Sequence, residues 1–344
     1  YARLRSHYGF VNELNLFAEV DHHTKYSVNI YGLAREQPAF DHLANLFAPA
    51  TVDACYRHDG AGVVGGYKDE QGKWNLAGHR DRIVQVDEVA LATFARLYDE
   101  PGTPTRRARL PALHAGALAS VLRKLASWPK RTVDLGDEYF STYMFDETAS
   151  QREGLIKRDV RFVDLTRFVV SGPHFFVGNP AYKTPRSICT LNSHYDVVDL
   201  DSVSDDYVAR TIFQSIETED LVQRTPLVKW VESEGEVRKS ASDVFRFCHR
   251  DMIGPSAERT YVGAIFPPGP RHVSTVVSTS FKDVRMLVEF AGFGISTVCD
   301  FFVKSTGMTH ARTNLTDLFP IGLFSGEGAR AYSRVLSLNC LLNP

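Results

Sequence analysis

The chain has 344 residues, 44% hydrophobic and 23% charged, a composition that suits a globular protein with a sizeable core and room for more than one domain. Its 39 basic and 41 acidic side chains give a formal net charge of -2, which excludes a surface basic all over but not a local basic cleft. No apolar run approaches the ~20 residues that span a bilayer, no secretory leader is legible, and 5 scattered cysteines read as reduced cytoplasmic thiols.

The chain opens YARLRSHYGF, without an initiator Met, and reads as a piece of a longer protein. KYSVNIYG alternates Tyr26, Val28 and Ile30 and predicts a strand. QPAFDHLANLF sets Phe40, Leu43, Leu46 and Phe47 at helical spacing and predicts a helix. DRIVQV followed by DEVALATFARLYDE predicts a strand and then a helix capped by Asp87. ALHAGALASVLRKLASWP is a helix stopped by Pro129. EYFSTYMF and RFVVSGPHFFVG are buried strands. TYVGAIFPP and HVSTVVSTSF form a strand pair about a Pro/Gly turn. KDVRMLVEFAGFGISTVCDFFVKST predicts one long helix, with Leu287, Ala291, Ile295, Val298 and Phe302 along it. The irregular alternation favours an α+β fold, of mixed helices and mostly antiparallel strands, over a doubly wound sheet. We expect two subdomains, 1–150 and 151–344.

Charge is uneven along the chain. Residues 101–134 carry basic Arg106, Arg107, Arg109, Arg123, Lys124, Lys130 and Arg131 against the single acid Asp134. Residues 150–186 are also basic, whereas 195–220 are acidic apart from Arg210. The bland reading is solvated faces and internal ion pairs; the sharper one is a face for a polyanion.

Several motifs fail on context. GAGVVG (Gly60, Gly62, Gly65) matches a dinucleotide fingerprint, but turn residues follow it instead of a helix whose N-terminus could hold phosphates, so it predicts a glycine-rich hairpin. His22-His23, Cys55-x-x-His58 and Cys248-His249 lack a second close pair at zinc spacing, so no metal ligands are assigned. No nucleophile elbow or P-loop is present.

SGPHFFVGNPAYKTPR is the most suggestive stretch. Asn179-Pro180-Ala181-Tyr182 differs by one residue from the Asn-Pro-Pro-Tyr with which amino-methyltransferases grip a flipped base. No strand–glycine–helix unit for S-adenosylmethionine precedes it, and Lys183 and Arg186 suit phosphates better than an apolar base pocket. We assign no catalytic residue and read the tetrapeptide as a turn.

RLRSHYGFVNELNLFAEV, GKWNLAGHRDRIVQVD, SGPHFFVGNPAYKTPR with HYDVVDLDSVSDDYVART, and DFFVKSTGMTHARTNLTDLFPIGL together resemble the C-terminal, target-recognition half of adenine-specific DNA methyltransferases of bacterial restriction-modification and phage-defence systems, of TaqI-like and type IIG-like kind. The resemblance covers most of the chain. It implies a bacterial cytoplasmic protein and a recognition module that holds double-stranded DNA. The catalytic domain, with S-adenosylmethionine and the true tetrapeptide, would precede it in the same parent chain. No cofactor is implied for the chain itself.

Target recognition needs cationic and amide side chains on loops of a rigid scaffold. GHRDR offers Arg80 and Arg82 beside Trp74; KTPR offers Lys183 and Arg186 beside Tyr182; KSTGMTHARTN offers Lys304, Arg312 and Asn314. Against these stand simpler readings: Arg80 and Arg82 pair with Asp81 and Asp87, Trp74 packs on the hairpin, and His174 is a hydrogen-bonded core histidine. Two other functions stay open, a complete methyltransferase using Asn179 and a protein-interaction module using the acidic 195–220 segment.

Overall fold

The computed structural model describes residues 1–100, 102–161, 167–176, 183–322 and 328–342, apart from 200, 203, 205, 206, 208, 234, 255, 256 and 258. The chain divides into two units, Tyr1–Trp128 with Lys304–Gly307, and Pro129–Val303 with Met308–Pro344. Both mix helices with mostly antiparallel strands, so the fold is α+β, with four sheets among the described residues.

In the first unit, β1 (Leu4–Val11), β2 (Lys25–Tyr31), β3 (Ala39–Leu46) and β4 (Val84–Asp87) form a sheet in the order β2-β1-β3-β4. Only the β1–β3 pairing is parallel. The stretch expected as a helix at Phe40–Phe47 is therefore the inner strand β3. Neighbours on both edges bury nearly all of it, so its apolar residues lose the two-residue alternation that marks a half-exposed strand. Between β1 and β3 the register passes from Tyr8↔Leu43 to Phe10↔Leu46, a bulge centred on Ala44 and Asn45. Asn45 takes the left-handed conformation there, with φ of 57°. Helices α1 (Ala50–Arg57), α2 (Glu88–Tyr98) and α3 (Leu118–Ala126) complete the unit. As expected, Asp87 caps α2, its carboxylate accepting from Ala90 N at 2.8 Å. Phe10, Leu43, Leu46 and Cys55 form a core cluster. No helix follows GAGVVG; the next regular element is the 3-10 turn Arg80–Arg82. Trp74 packs on Phe47, ring centroids 4.5 Å apart.

The second unit holds β5 (Tyr139–Thr142), α4 (Glu147–Arg152), β6 (Ile156–Arg161), β7 (Phe168–Val170), β8 (Lys183–Pro185), β9 (Tyr195–Val197), β10 (Thr211–Ser215), α5 (Glu219–Arg224), β11 (Arg246–Arg250), β12 (Gly263–Phe266), β13 (Arg271–His272), β14 (Val276–Phe281), α6 (Val284–Gly294), α7 (Thr297–Thr306), α8 (Thr313–Thr316) and α9 (Gly328–Leu342). Its sheets run β13-β7-β10-β6, β12-β11-β14-β5 and β8-β9. The expected pairing of β12 with β14 is replaced: β11 lies between them and pairs antiparallel with both. The expected long helix is two, α6 and α7, bent by 72°. Ser296 explains the break, because its hydroxyl accepts from Cys299 N at 3.1 Å and starts a new helix. Phe319 is fully buried among the rings of Tyr261, Phe290, Phe293 and Phe302. Among the described residues no single helix is long and apolar enough to cross a membrane.

Candidate nucleic-acid interface

β8 and β9 form a separate two-stranded antiparallel ribbon with Lys183 opposite Val197 and Thr184 opposite Asp196. Lys183 holds its ammonium 4.2 Å from the Phe176 ring centroid, over the face that attracts a cation. Arg186 donates from Nε to Asp196 Oδ1 at 2.8 Å, and both side chains are about half exposed. Arg158, on β6, donates to the Cys189 carbonyl at 3.0 Å. Burial pushes the Cys189 thiol up, and the positive charges of Arg158 and Arg186 oppose that shift. At the ribbon's turn, Ile188 and Leu191 are 77% and 61% exposed. Tyr182, with the tetrapeptide Asn179-Pro180-Ala181-Tyr182, lies outside the described residues. Beside the ribbon, His174 is the hydrogen-bonded core histidine expected: it is buried and shares Nε2 with the Arg210 carbonyl at 3.0 Å.

Arg312 and Asn314 are exposed in the second unit, around the start of α8. Next to them, His310 Nδ1 lies 2.7 Å from Asp251 Oδ2. Asp251 is 8% exposed, and its other oxygen has no hydrogen-bond partner. Burial and then the Asp251 charge push the Tyr143 phenol up to about 12, with Arg312 opposing, so tyrosine, carboxylate, imidazole and guanidinium share one neighbourhood. The dyad holds the His310 ring, whose side chain is 40% exposed. No local sequence signal marks Asp251 and Tyr143, because both are distant in the chain from His310. Lys304 is not in a loop with Arg312 and Asn314: it is half-buried in the last turn of α7 and clusters with the first unit.

Arg80 and Arg82 part company in the first unit. Arg80 is exposed. Arg82 is 2% exposed, and its guanidinium donates to the carbonyls of Asn45, Ala77 and Ala44 at 3.0, 3.3 and 3.4 Å. It gives hydrogen bonds to two carbonyls at the β3 bulge and to that of Ala77. Such an interior side chain cannot reach a groove, which corrects the expectation of a contact. The alternative of ion pairs with Asp81 and Asp87 is not what is seen for Arg82 either.

The same unit has a cavity of about 320 Å³ lined by His7, Lys25, Tyr26, His42, Asn45 and Pro111 among others. His42 Nε2 lies 2.8 Å from the Pro111 carbonyl, which can only accept, so Nε2 carries the proton. Burial holds His42 down at about 4 and therefore neutral, so its Nδ1 accepts from His7 Nδ1 at 2.9 Å. His7 then presents Nε2 as an acceptor. No sequence signal pointed to this pair, whose members meet only because β1 and β3 are neighbours.

Compared with protein-family models and with curated proteins, the chain matches none. The family remains a resemblance. It rests on the motifs quoted from the sequence.

Proposed function

We propose that this chain is a DNA-recognition module of an adenine-specific DNA methyltransferase, holding and reading the duplex for a catalytic domain elsewhere in the parent protein. The observation that carries the reading is the β8–β9 ribbon with Lys183, Arg186 and Arg158 about it. A two-stranded ribbon fits a major groove about 12 Å wide. Lys183, a point charge on a flexible stem, suits a phosphate. Arg186 exchanges its exposed Asp196 partner for a phosphate or a guanine edge; an exposed pair of this kind is worth ~0–1 kcal/mol, so it parts easily. Arg312 and Asn314 offer a second polar surface, in which an amide can meet adenine in bidentate fashion. S-adenosylmethionine belongs, in this reading, to the parent enzyme's catalytic domain, and no residue of this chain is assigned to it.

The test is a titration of fluorescent duplex into wild type and into the K183A, R186A double variant. The variant should bind more weakly at unchanged thermal stability. Equal binding by both proteins would remove the ribbon from the interface.

One observation favours an additional protein-contact role. β2 is an edge strand whose Val28, Ile30 and Tyr31 are 51%, 47% and 67% exposed, an apolar edge that suits a protein surface.

A further inference from the structure

The loop between β1 and β2 brings together Glu13, His22 and His23, whose ligand atoms all lie within 4.8 Å of one another. We propose that these side chains form a binding site for a divalent transition-metal ion, zinc(II) first among them.

The loop is ordered by the protein itself. Asn12, fully buried at the end of β1, donates from its amide to the Phe17 and Val20 carbonyls at 2.9 and 3.0 Å and accepts from Phe17 N at 3.0 Å. At the other end, Thr24 N donates to the Asp21 carbonyl at 2.9 Å and His23 N to the Asp21 carboxylate at 2.8 Å. The backbone at both ligand-bearing ends is therefore set before any ion arrives, which removes most of the ordering cost of binding.

The spacing already suits coordination on one edge. Glu13 Oε1 and His23 Nδ1 are 3.2 Å apart. That is long for a charge-assisted hydrogen bond, but it is close to the ~3.3 Å edge of a tetrahedron with ~2.0–2.1 Å bonds to zinc. The His22 and His23 rings have centroids 3.8 Å apart, and His22 is exposed, so its ring can rotate to complete the set.

The electrostatics point the same way. The Glu13 side chain is only 10% exposed, and the imidazole of His23 is its one ion-pair partner among the described residues. A carboxylate so enclosed is stabilised by a bound cation. Two imidazoles and a carboxylate suit zinc and its neighbours; calcium and magnesium prefer oxygen throughout. Three protein ligands leave a position for water or another oxygen ligand. Spacing rules miss the site because Glu13 lies well upstream of the histidine pair and they look for two close pairs.

The experiment is calorimetric titration of zinc chloride into metal-stripped chain. A parallel titration with cobalt(II) reads its visible d–d absorption. The wild type is expected to take up one equivalent and to show the absorption of a four-coordinate cobalt site. The exposed double substitution H22A, H23A should lose both signals while keeping the metal-free melting temperature of the wild type. Glu13→Gln, which keeps the size of the side chain, should weaken both. Absence of a saturable signal in wild type, or a signal unchanged in H22A, H23A, overturns the proposal.

Discussion

Arg82→Met separates an interior arginine from a surface one. The substitution keeps the length of the side chain and removes the donors that reach the carbonyls of Asn45, Ala77 and Ala44 at 3.0, 3.3 and 3.4 Å. Asn45 sits in the left-handed conformation within the β1–β3 bulge, and its carbonyl accepts from the Arg82 guanidinium at 3.0 Å. Leaving a buried acceptor unsatisfied costs about 1–3 kcal/mol. Relief of the buried guanidinium's desolvation offsets part of the loss over the three carbonyls, so a net ~2–3 kcal/mol is expected. At about 4 °C per kcal/mol for a unit of this size, the melting temperature should fall by about 8–12 °C. The assay is thermal unfolding followed by circular dichroism, with Arg80→Ala as the exposed control expected within ~0.5 kcal/mol of wild type. Arg82→Met that melts like wild type yet binds DNA less well would refute the structural assignment.

Other outcomes follow from the same contacts. Gly78→Ala should destabilise by ~1–3 kcal/mol, because a Cβ there would lie 2.3 Å from the Ala54 carbonyl carbon and 2.5 Å from Cys55 N, both backbone atoms; a normal denaturant midpoint would contradict that close approach. Burial holds His42 and His249 down at about 4 and His272 at about 3. An unfolded imidazole takes up its proton near ~6.5, so the native chain binds fewer protons below that pH. Stability should therefore be full above about pH 6.5 and decline as pH falls toward about 4, by ~3 kcal/mol for each of His42 and His249 at the acid end. Urea midpoints across this range test it, and a flat profile would mean that these histidines are protonated in the native state. Lys183→Ala and Arg186→Ala should each reduce the salt slope of duplex binding by about 1 without shifting the melting temperature.

Local structure was legible where one segment decides it. Asp87 before EVALATFARLY announces the cap and the helix together, and Trp74 and His174 pack as their surroundings suggest. Legibility failed where a distant segment decides. Phe40, Leu43 and Leu46 keep helical spacing inside a strand because β1 and β4 cover both edges of β3. β11 separates β12 from β14, and no local pattern foretells that insertion. The apolar spacing of Leu287 to Phe302 runs across Ser296, whose hydroxyl starts a second helix. At the candidate site, Arg80 and Arg82 look alike in GHRDR. A bulge far upstream in β3 makes one of them interior. Asp251 and Tyr143 join His310 and Arg312 only through the sheet and the loop beyond it.

The most direct measurement is the affinity of this chain for a labelled duplex at low and at physiological salt. A DNA-recognition module should bind saturably, with an affinity whose logarithm falls linearly with the logarithm of salt concentration, the slope of several units being set by the phosphates contacted. Calorimetry on the same sample should give no heat with S-adenosylmethionine. Absence of duplex binding at low salt would rule out a DNA-recognition role, and saturable S-adenosylmethionine binding would move the methyl-transfer site into this chain, with Asn179 at its centre.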